Sequence, residues 1–143
     1  MEEKKDGWIR YPAEKEEYDR IRDDIMDAAD AAEMSPRQQI RLELGMEEML
    51  VNIIAYAYDH SGIVWVRAAP AGNLFRLEFA DHGKAFDPLA RDMRPTDGIP
   101  EADQEEGGYG IYLVKKNFSS VAYVREELFG QPANHLTLEL SLS

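Results

Sequence analysis

Apolar residues recur at helical spacing in two stretches of the first half of the chain. The first stretch runs from Ala13 to about Ala32, and its apolar residues are Tyr18, Ile21, Ile25, Met26 and Ala29. A spacing of three or four positions predicts one buried face of a helix. Ser35 followed by Pro36 is typical of a helix start, so a second, longer helix is predicted from there to about Asp59.

Elsewhere the apolar residues alternate with polar ones, which predicts strands. The predicted strands are 7–11, 63–69, 74–80, 120–126 and 135–140. Turn residues at 70–73 predict a hairpin between the second and third strands, and those at 130–132 predict a turn between the last two. A short helix is predicted from Gly108 to about Asn117.

The order of these elements predicts the fold class. Strands at both ends with helices between them indicate an α+β sandwich, with helices on one face of a mostly antiparallel sheet. The length of 143 residues predicts a single domain over 1–143. The apolar residues of 89–106 follow neither a helical nor a strand spacing. A connection of this length without secondary structure is usually functional, so a lid is predicted there.

Composition excludes several kinds of chemistry. The chain has no cysteine, which excludes disulfides, thiolate catalysis and cysteine-ligated zinc. It has no visible signal peptide and no apolar run of about 18 residues, so we expect a cytoplasmic protein that does not span a membrane. The net charge of −12 argues against a nucleic-acid surface, and an anionic ligand would need local compensation by cations or backbone N–H groups.

The long helix carries the first of three clusters with candidate chemistry. Glu48, Asn52 and Tyr56 are four positions apart and form a polar stripe in an apolar stretch. A carboxylate and an amide buried there need partners, and a metal with a phosphate group would supply them. The alternative is a solvated helix face with a structural asparagine.

The second cluster, Asp81-His82-Gly83, follows a predicted strand. An ionised Asp81 can accept a hydrogen bond from an exocyclic amine such as that of adenine. Gly83 would let the backbone approach a flat ring closely. A plain β-turn also favours aspartate and glycine, and this alternative is equally open.

The third cluster, Gly107-Gly108-Tyr109-Gly110, opens a predicted helix. Glycine there exposes backbone N–H groups to an anion, and the helix dipole adds positive potential. The cluster lacks the Gly-Lys-Ser/Thr of a Walker loop and the βαβ unit of a Rossmann fold. A hinge for the preceding segment is a second interpretation, compatible with phosphate binding.

Together these motifs resemble a known superfamily. Glu48 to Tyr58 resembles the N box of the GHKL ATPases, the superfamily of gyrase, Hsp90 chaperones, histidine kinases and MutL. Asp81 to Pro88 is similar to its G1 box and Gly107 to Val114 to its G2 box. The chain resembles in particular the anti-sigma factor serine kinases of bacterial partner-switching systems, in its short single domain, its Phe-Asp-Pro and its terminal strand.

The resemblance implies a Bergerat α/β sandwich and a role for each motif residue. Glu48 would be the base for the attacking hydroxyl, Asn52 would ligate Mg²⁺, and Asp81 would bind the adenine amine with support from Gly83. The remaining residues implied in cofactor binding are Lys84 and Phe86 of the G1 box, Gly107, Gly108 and Gly110 at the phosphates, and Thr137 near the adenine through a water.

The function implied is that of an ATP- and Mg²⁺-dependent serine/threonine protein kinase. It would sequester a sigma factor and phosphorylate a STAS-type antagonist, with no direct nucleic-acid partner and a possible homodimer. The alternative is a nucleotide-binding switch module without kinase activity. Two departures bear on that choice: Tyr56 stands where the branch usually has histidine, and the segment Asp103-Gln104-Glu105-Glu106 stands where an arginine often precedes the glycines.

Overall fold

A computed structural model of the chain describes residues 4–5, 7–91 and 106–143. The helices are α1 (Tyr18–Ala31), α2 (Pro36–Tyr56) and α3 (Glu106–Asn117), with short 3₁₀ turns at Lys15–Glu17 and Pro88–Arg91. The strands are β1 (Lys4–Lys5), β2 (Trp8–Pro12), β3 (Ile63–Ala71), β4 (Leu74–Asp81), β5 (Ser120–Leu128) and β6 (Gln131–Ser141). Residues 92–105, most of the predicted lid, lie outside the described part.

The six strands form one sheet in the order β1-β2-β3-β4-β6-β5. Every neighbouring pair is antiparallel. The pairing of β4 with β6 sets Asp81 opposite Asn134 and Glu78 opposite Thr137. Residues far apart in the sequence therefore meet at one end of the sheet.

One face of the sheet packs against the helices and the other does not. The main core joins apolar residues of α1 and α2 to alternate residues of the strands; its fully buried side chains include Tyr11, Ile21, Ile25, Leu42, Met46, Met49, Leu50, Phe75, Leu77, Phe79 and Leu138. The α+β prediction, with helices on one face of an antiparallel sheet, is confirmed. No helix within the described residues is long and apolar enough to cross a membrane.

α2 begins at the predicted Ser35-Pro36 pair. The Ser35 side chain accepts a hydrogen bond from the Gln38 N–H, and the Gln38 side chain accepts one from the Ser35 N–H. This reciprocal pair satisfies two backbone donors at the helix start, and Pro36 has no N–H to satisfy.

Two predicted helix boundaries differ from the structure, each for a tertiary reason. α1 begins at Tyr18 and not at Ala13, because the Ala13 N–H still extends the sheet by bonding the Gly62 carbonyl. α2 ends at Tyr56, before Asp59, where the Ala57 carbonyl turns to accept from the Lys84 N–H. Neither contact is visible in the local sequence.

The turn between β5 and β6 also differs from the prediction. It consists of Phe129 and Gly130, with φ values of +54° and +86°, so Gln131 and Pro132 belong to β6. Positive φ at both central residues matches the right-handed twist of a two-residue hairpin. Phenylalanine is an unusual residue in that conformation.

Candidate functional site

Glu48 and Asn52 lie one helical turn apart on α2 and contact each other. The Asn52 amide nitrogen donates to the Glu48 backbone oxygen at 2.8 Å and to the Glu48 carboxylate at 3.1 Å. Asn52 is buried and Glu48 is half-buried. Since the amide nitrogen is committed to Glu48, the amide oxygen is the Asn52 atom suited to ligate a cation.

Asp81 lies at the end of β4 and is buried. Its Oδ1 accepts hydrogen bonds from the Gly83 N–H at 2.8 Å and from the Asn134 amide at 2.9 Å. Burial raises the pKa of Asp81 above its ordinary value, although these two hydrogen bonds oppose the effect. Both contacts use Oδ1, so Oδ2 is the oxygen suited to accept from a ligand amine.

Gly83 is required by the chain's own packing. A Cβ built at this position would lie 2.0 Å from the Ala57 backbone oxygen. The neighbouring Lys84 N–H donates to that same oxygen at 3.1 Å. Glycine at this position therefore lets the end of β4 pass close to the end of α2, and the approach to a ligand ring stays a prediction.

Asn134 is the site residue that sequence analysis missed. Its amide nitrogen donates to Asp81 and, at 2.8 Å, to the Lys84 backbone oxygen. Its oxygen accepts from the Phe86 N–H at 3.2 Å, the Tyr123 hydroxyl at 2.6 Å and the Arg125 guanidinium at 3.1 Å. This buried amide thus orients Asp81 and holds the loop after β4 in place.

The prediction for Thr137 requires a correction. Thr137 is opposite Glu78, whereas Asn134 is opposite Asp81. Side chains alternate between the faces of a strand, so an odd step from Asn134 places Thr137 on the face away from the helices. The structure does not bring Thr137 to Asp81, and Asn134 is the β6 residue that contacts this carboxylate.

Asn52, Asp81 and Asn134 surround a cavity of only about 10 Å³. The residues that complete its lining are Ile53, Ala57, Phe86, Pro88 and Leu136. One water molecule needs about 10–15 Å³, so the described residues leave no room there for a purine base. The Phe86 ring lines this cavity and lies 5.5 Å from the ring of Tyr56.

Of the other predicted site residues, Lys84 has an exposed side chain that lines a different cavity on the open face of the sheet. The backbone of Gly107, Gly108 and Gly110 lies within α3, so these glycines begin the helix rather than preceding it. In the described ranges, no group of three or more His, Asp or Glu side chains forms a metal site.

A comparison with known protein families identifies the family of this chain. A model for the histidine kinase-like ATPase domain matches residues 11–139, and the chain belongs to this family. The predicted membership of the GHKL superfamily is thereby confirmed, and with it an ATP-binding, kinase-like ATPase domain. A search of curated proteins found no match.

Proposed function

We propose that this protein is an ATP-dependent serine/threonine protein kinase that acts as an anti-sigma factor and phosphorylates a STAS-type antagonist. The observation that carries the proposal is that Asn52, bonded to Glu48, and Asp81 line one cavity although they come from different elements. A carboxylate base, a cation ligand and an amine acceptor are thus available at one nucleotide site.

Each residue has a distinct role in the proposed reaction. Asp81 Oδ2 accepts from the adenine amine, and Asn134 keeps that carboxylate in position. Asn52 holds the Glu48 carboxylate and directs its own oxygen to Mg²⁺. Bound Mg²⁺ neutralises charge on the phosphates.

Glu48 accepts the proton of the attacking hydroxyl. The hydroxyl oxygen of the acceptor forms a bond to the γ-phosphorus, while the bond from that phosphorus to the bridging oxygen breaks. ADP leaves with the electron pair. General-base assistance of this kind contributes about 10²–10⁴-fold in rate.

The acidic charge of the protein supports a partner-switching cycle. With a net charge of −12, it favours partners with basic docking surfaces, and association should slow as salt rises. Phosphorylation adds about −1.5 to −2 charges to the acceptor, which then faces an acidic protein and is released. Release of the acceptor frees the protein for the sigma factor.

A nucleotide-binding switch without kinase activity is the second candidate. The observation that favours it is the contact of Tyr56 with Phe86, because the branch usually carries a histidine at this position. A tyrosine packed on Phe86, which lines the nucleotide cavity, supports control of nucleotide entry rather than proton transfer.

Transfer of labelled γ-phosphate to a STAS-type protein from the same operon distinguishes the two candidates. Wild-type protein should label the acceptor, and Glu48→Gln should bind ATP normally but label it about 10²-fold or more slowly. Glu47→Gln changes an exposed carboxylate on the same helix and should transfer at the wild-type rate. ATP binding without any labelling by the wild type would favour the switch module.

Pull-downs with acceptor variants test the switching cycle. An acceptor with alanine at the target serine should be retained, and one with aspartate there should be released. Equal retention of the two acceptors would contradict release by charge repulsion.

A further inference from the structure

The open face of the sheet has a second cavity, of about 840 Å³. It lies between β2, the α2–β3 connection and the β5–β6 turn, and its lining includes Trp8, Arg10, Trp65, Lys84 and Phe129. Its volume falls in the range of pockets that bind small molecules. The backbone of Gly83 and Lys84 separates it from the nucleotide cavity, and Ala57 lines both.

One wall of this cavity is a preformed aromatic cluster. The rings of Trp65 and Phe129 are stacked with centroids 4.5 Å apart, and Trp8 meets Phe129 edge-on at 5.6 Å. His82 lies 4.6 Å from Trp65. These ring contacts are made by a residue with positive φ, a conformation that is unusual for a bulky side chain.

The two tryptophans also carry buried donors that the fold leaves unused. Trp8 is 6% exposed and Trp65 is 8% exposed. Within residues 4–5, 7–91 and 106–143, neither indole N–H has a hydrogen-bond acceptor. An indole N–H can only donate a hydrogen bond, so a ligand in the cavity would have to supply the acceptor.

The charged side chains of the lining favour an anion. Arg10 and Lys84 are exposed there against one carboxylate, Asp59. In the whole chain acidic residues outnumber basic ones by 28 to 16, whereas in the cavity lining the lysine and arginine outnumber the carboxylate. A carboxylate group would satisfy both the indole donors and the two cations.

We propose that this cavity is a binding site for a small planar organic anion. The ligand's ring packs against the Trp65 and Phe129 wall, and its carboxylate accepts from the tryptophan N–H groups near Arg10. The proposal does not require nucleotide binding, although Ala57 lines both cavities and Gly83 and Lys84 of the predicted nucleotide site line this one.

Nuclear magnetic resonance tests the proposal directly, because the chain contains two tryptophans and both line the cavity. Their indole N–H signals in a ¹⁵N-labelled sample should move saturably when 2-naphthoate is added at millimolar concentration. The neutral 2-naphthylmethanol should bind about tenfold more weakly or worse, because hydrogen bonds to a charged acceptor are the stronger ones.

A matched pair of variants locates the site. Arg10→Gln should weaken 2-naphthoate binding several-fold, whereas Arg37→Gln, in the exposed first turn of α2, should bind as the wild type does. Indole signals that do not move with 2-naphthoate would overturn the proposal. Equal binding of the acid and the alcohol, or equal loss in both variants, would overturn it as well.

Discussion

Glu78 and Asp81 are buried carboxylates three positions apart on β4, yet their pKa values move in opposite directions. Burial raises the pKa of both. At Glu78 the hydrogen bonds from His135 and Arg67 outweigh burial and lower the pKa to about 2. At Asp81 burial prevails over the bonds from Asn134 and Gly83, and the pKa is raised.

The difference separates a structural carboxylate from one available to a ligand. Arg67 contacts both Glu78 oxygens, at 2.7 and 2.9 Å, and His135 adds a third bond at 2.9 Å. Asp81 receives both of its described bonds on one oxygen, from neutral donors. On the open face, both oxygens of Glu78 thus accept hydrogen bonds from other side chains of the protein. On the helix side, one oxygen of Asp81 remains for a ligand.

Removal of the Glu78 charge should have the largest effect on stability. Glu78→Gln leaves Arg67 and His135 facing a neutral amide, and we expect a loss of about 2–3 kcal/mol in the free energy of unfolding at pH 6. Chemical denaturation measures it. Glu126→Gln removes the exposed partner of the same histidine and should cost less than about 1 kcal/mol. Equal losses would mean that burial does not distinguish the two carboxylates.

Asp81→Asn should change binding much more than stability. The new side chain keeps an oxygen for Gly83 and Asn134 but presents NH₂ where the adenine amine would bind. We expect ATP affinity to fall about 10–100-fold by calorimetry, with less than about 1 kcal/mol lost in unfolding. A large loss of stability with unchanged affinity would make Asp81 structural, like Glu78.

The Glu78–His135 pair also predicts a pH profile. Because the Glu78 pKa is lowered from 4.5, its contribution is complete above pH 4.5 and is lost as pH falls towards about 2. The His135 pKa is raised by its bond to Glu78, so its contribution is complete below pH 6.5 and is lost as pH rises through the folded-state value. The pair should therefore stabilise most between pH 4.5 and 6.5.

Denaturation of the wild type and of His135→Gln across this range measures the effect. The difference in unfolding free energy between the two proteins should shrink above pH 6.5. A constant difference would show that the histidine contributes no charge.

Tyr123→Phe should give the smallest effect on nucleotide binding. It removes one of the three donors to the Asn134 oxygen and should cost about 0.5–1.5 kcal/mol of stability. ATP affinity should fall only slightly, since Arg125 and the Phe86 N–H still hold the amide. A fall as large as that of Asp81→Asn would make the tyrosine part of the binding site.

The sequence was sufficient for the types of the main helices and strands and for the placement of Glu48 and Asn52 on one face of α2, because both depend on local spacing. Glu48 and Asn52 are in contact as their four-residue separation predicts. Asn134 could not be predicted in the same way. Its role depends on the register between β4 and β6, which pairs it with a residue 53 positions away.

Strand register also explains why Thr137 was placed on the wrong face and why the cavity on the open face of the sheet was not predicted. A strand's period is two, so a shift of three positions along β6 moves a side chain to the other face. Trp8 and Trp65 meet because β2 pairs with β3 and the β5–β6 turn lies over both rings. Contacts of this kind follow from topology and have no local signal.

In the proposed nucleotide site, Asp81 Oδ2 accepts a hydrogen bond from the exocyclic amine of adenine. Calorimetry with ATP and inosine triphosphate tests it most directly, because inosine carries an oxygen where adenine carries the amine. The wild type should bind ATP at least about tenfold more tightly than inosine triphosphate, and Asp81→Asn should lose the preference. Equal affinity of the wild type for the two nucleotides would contradict the account.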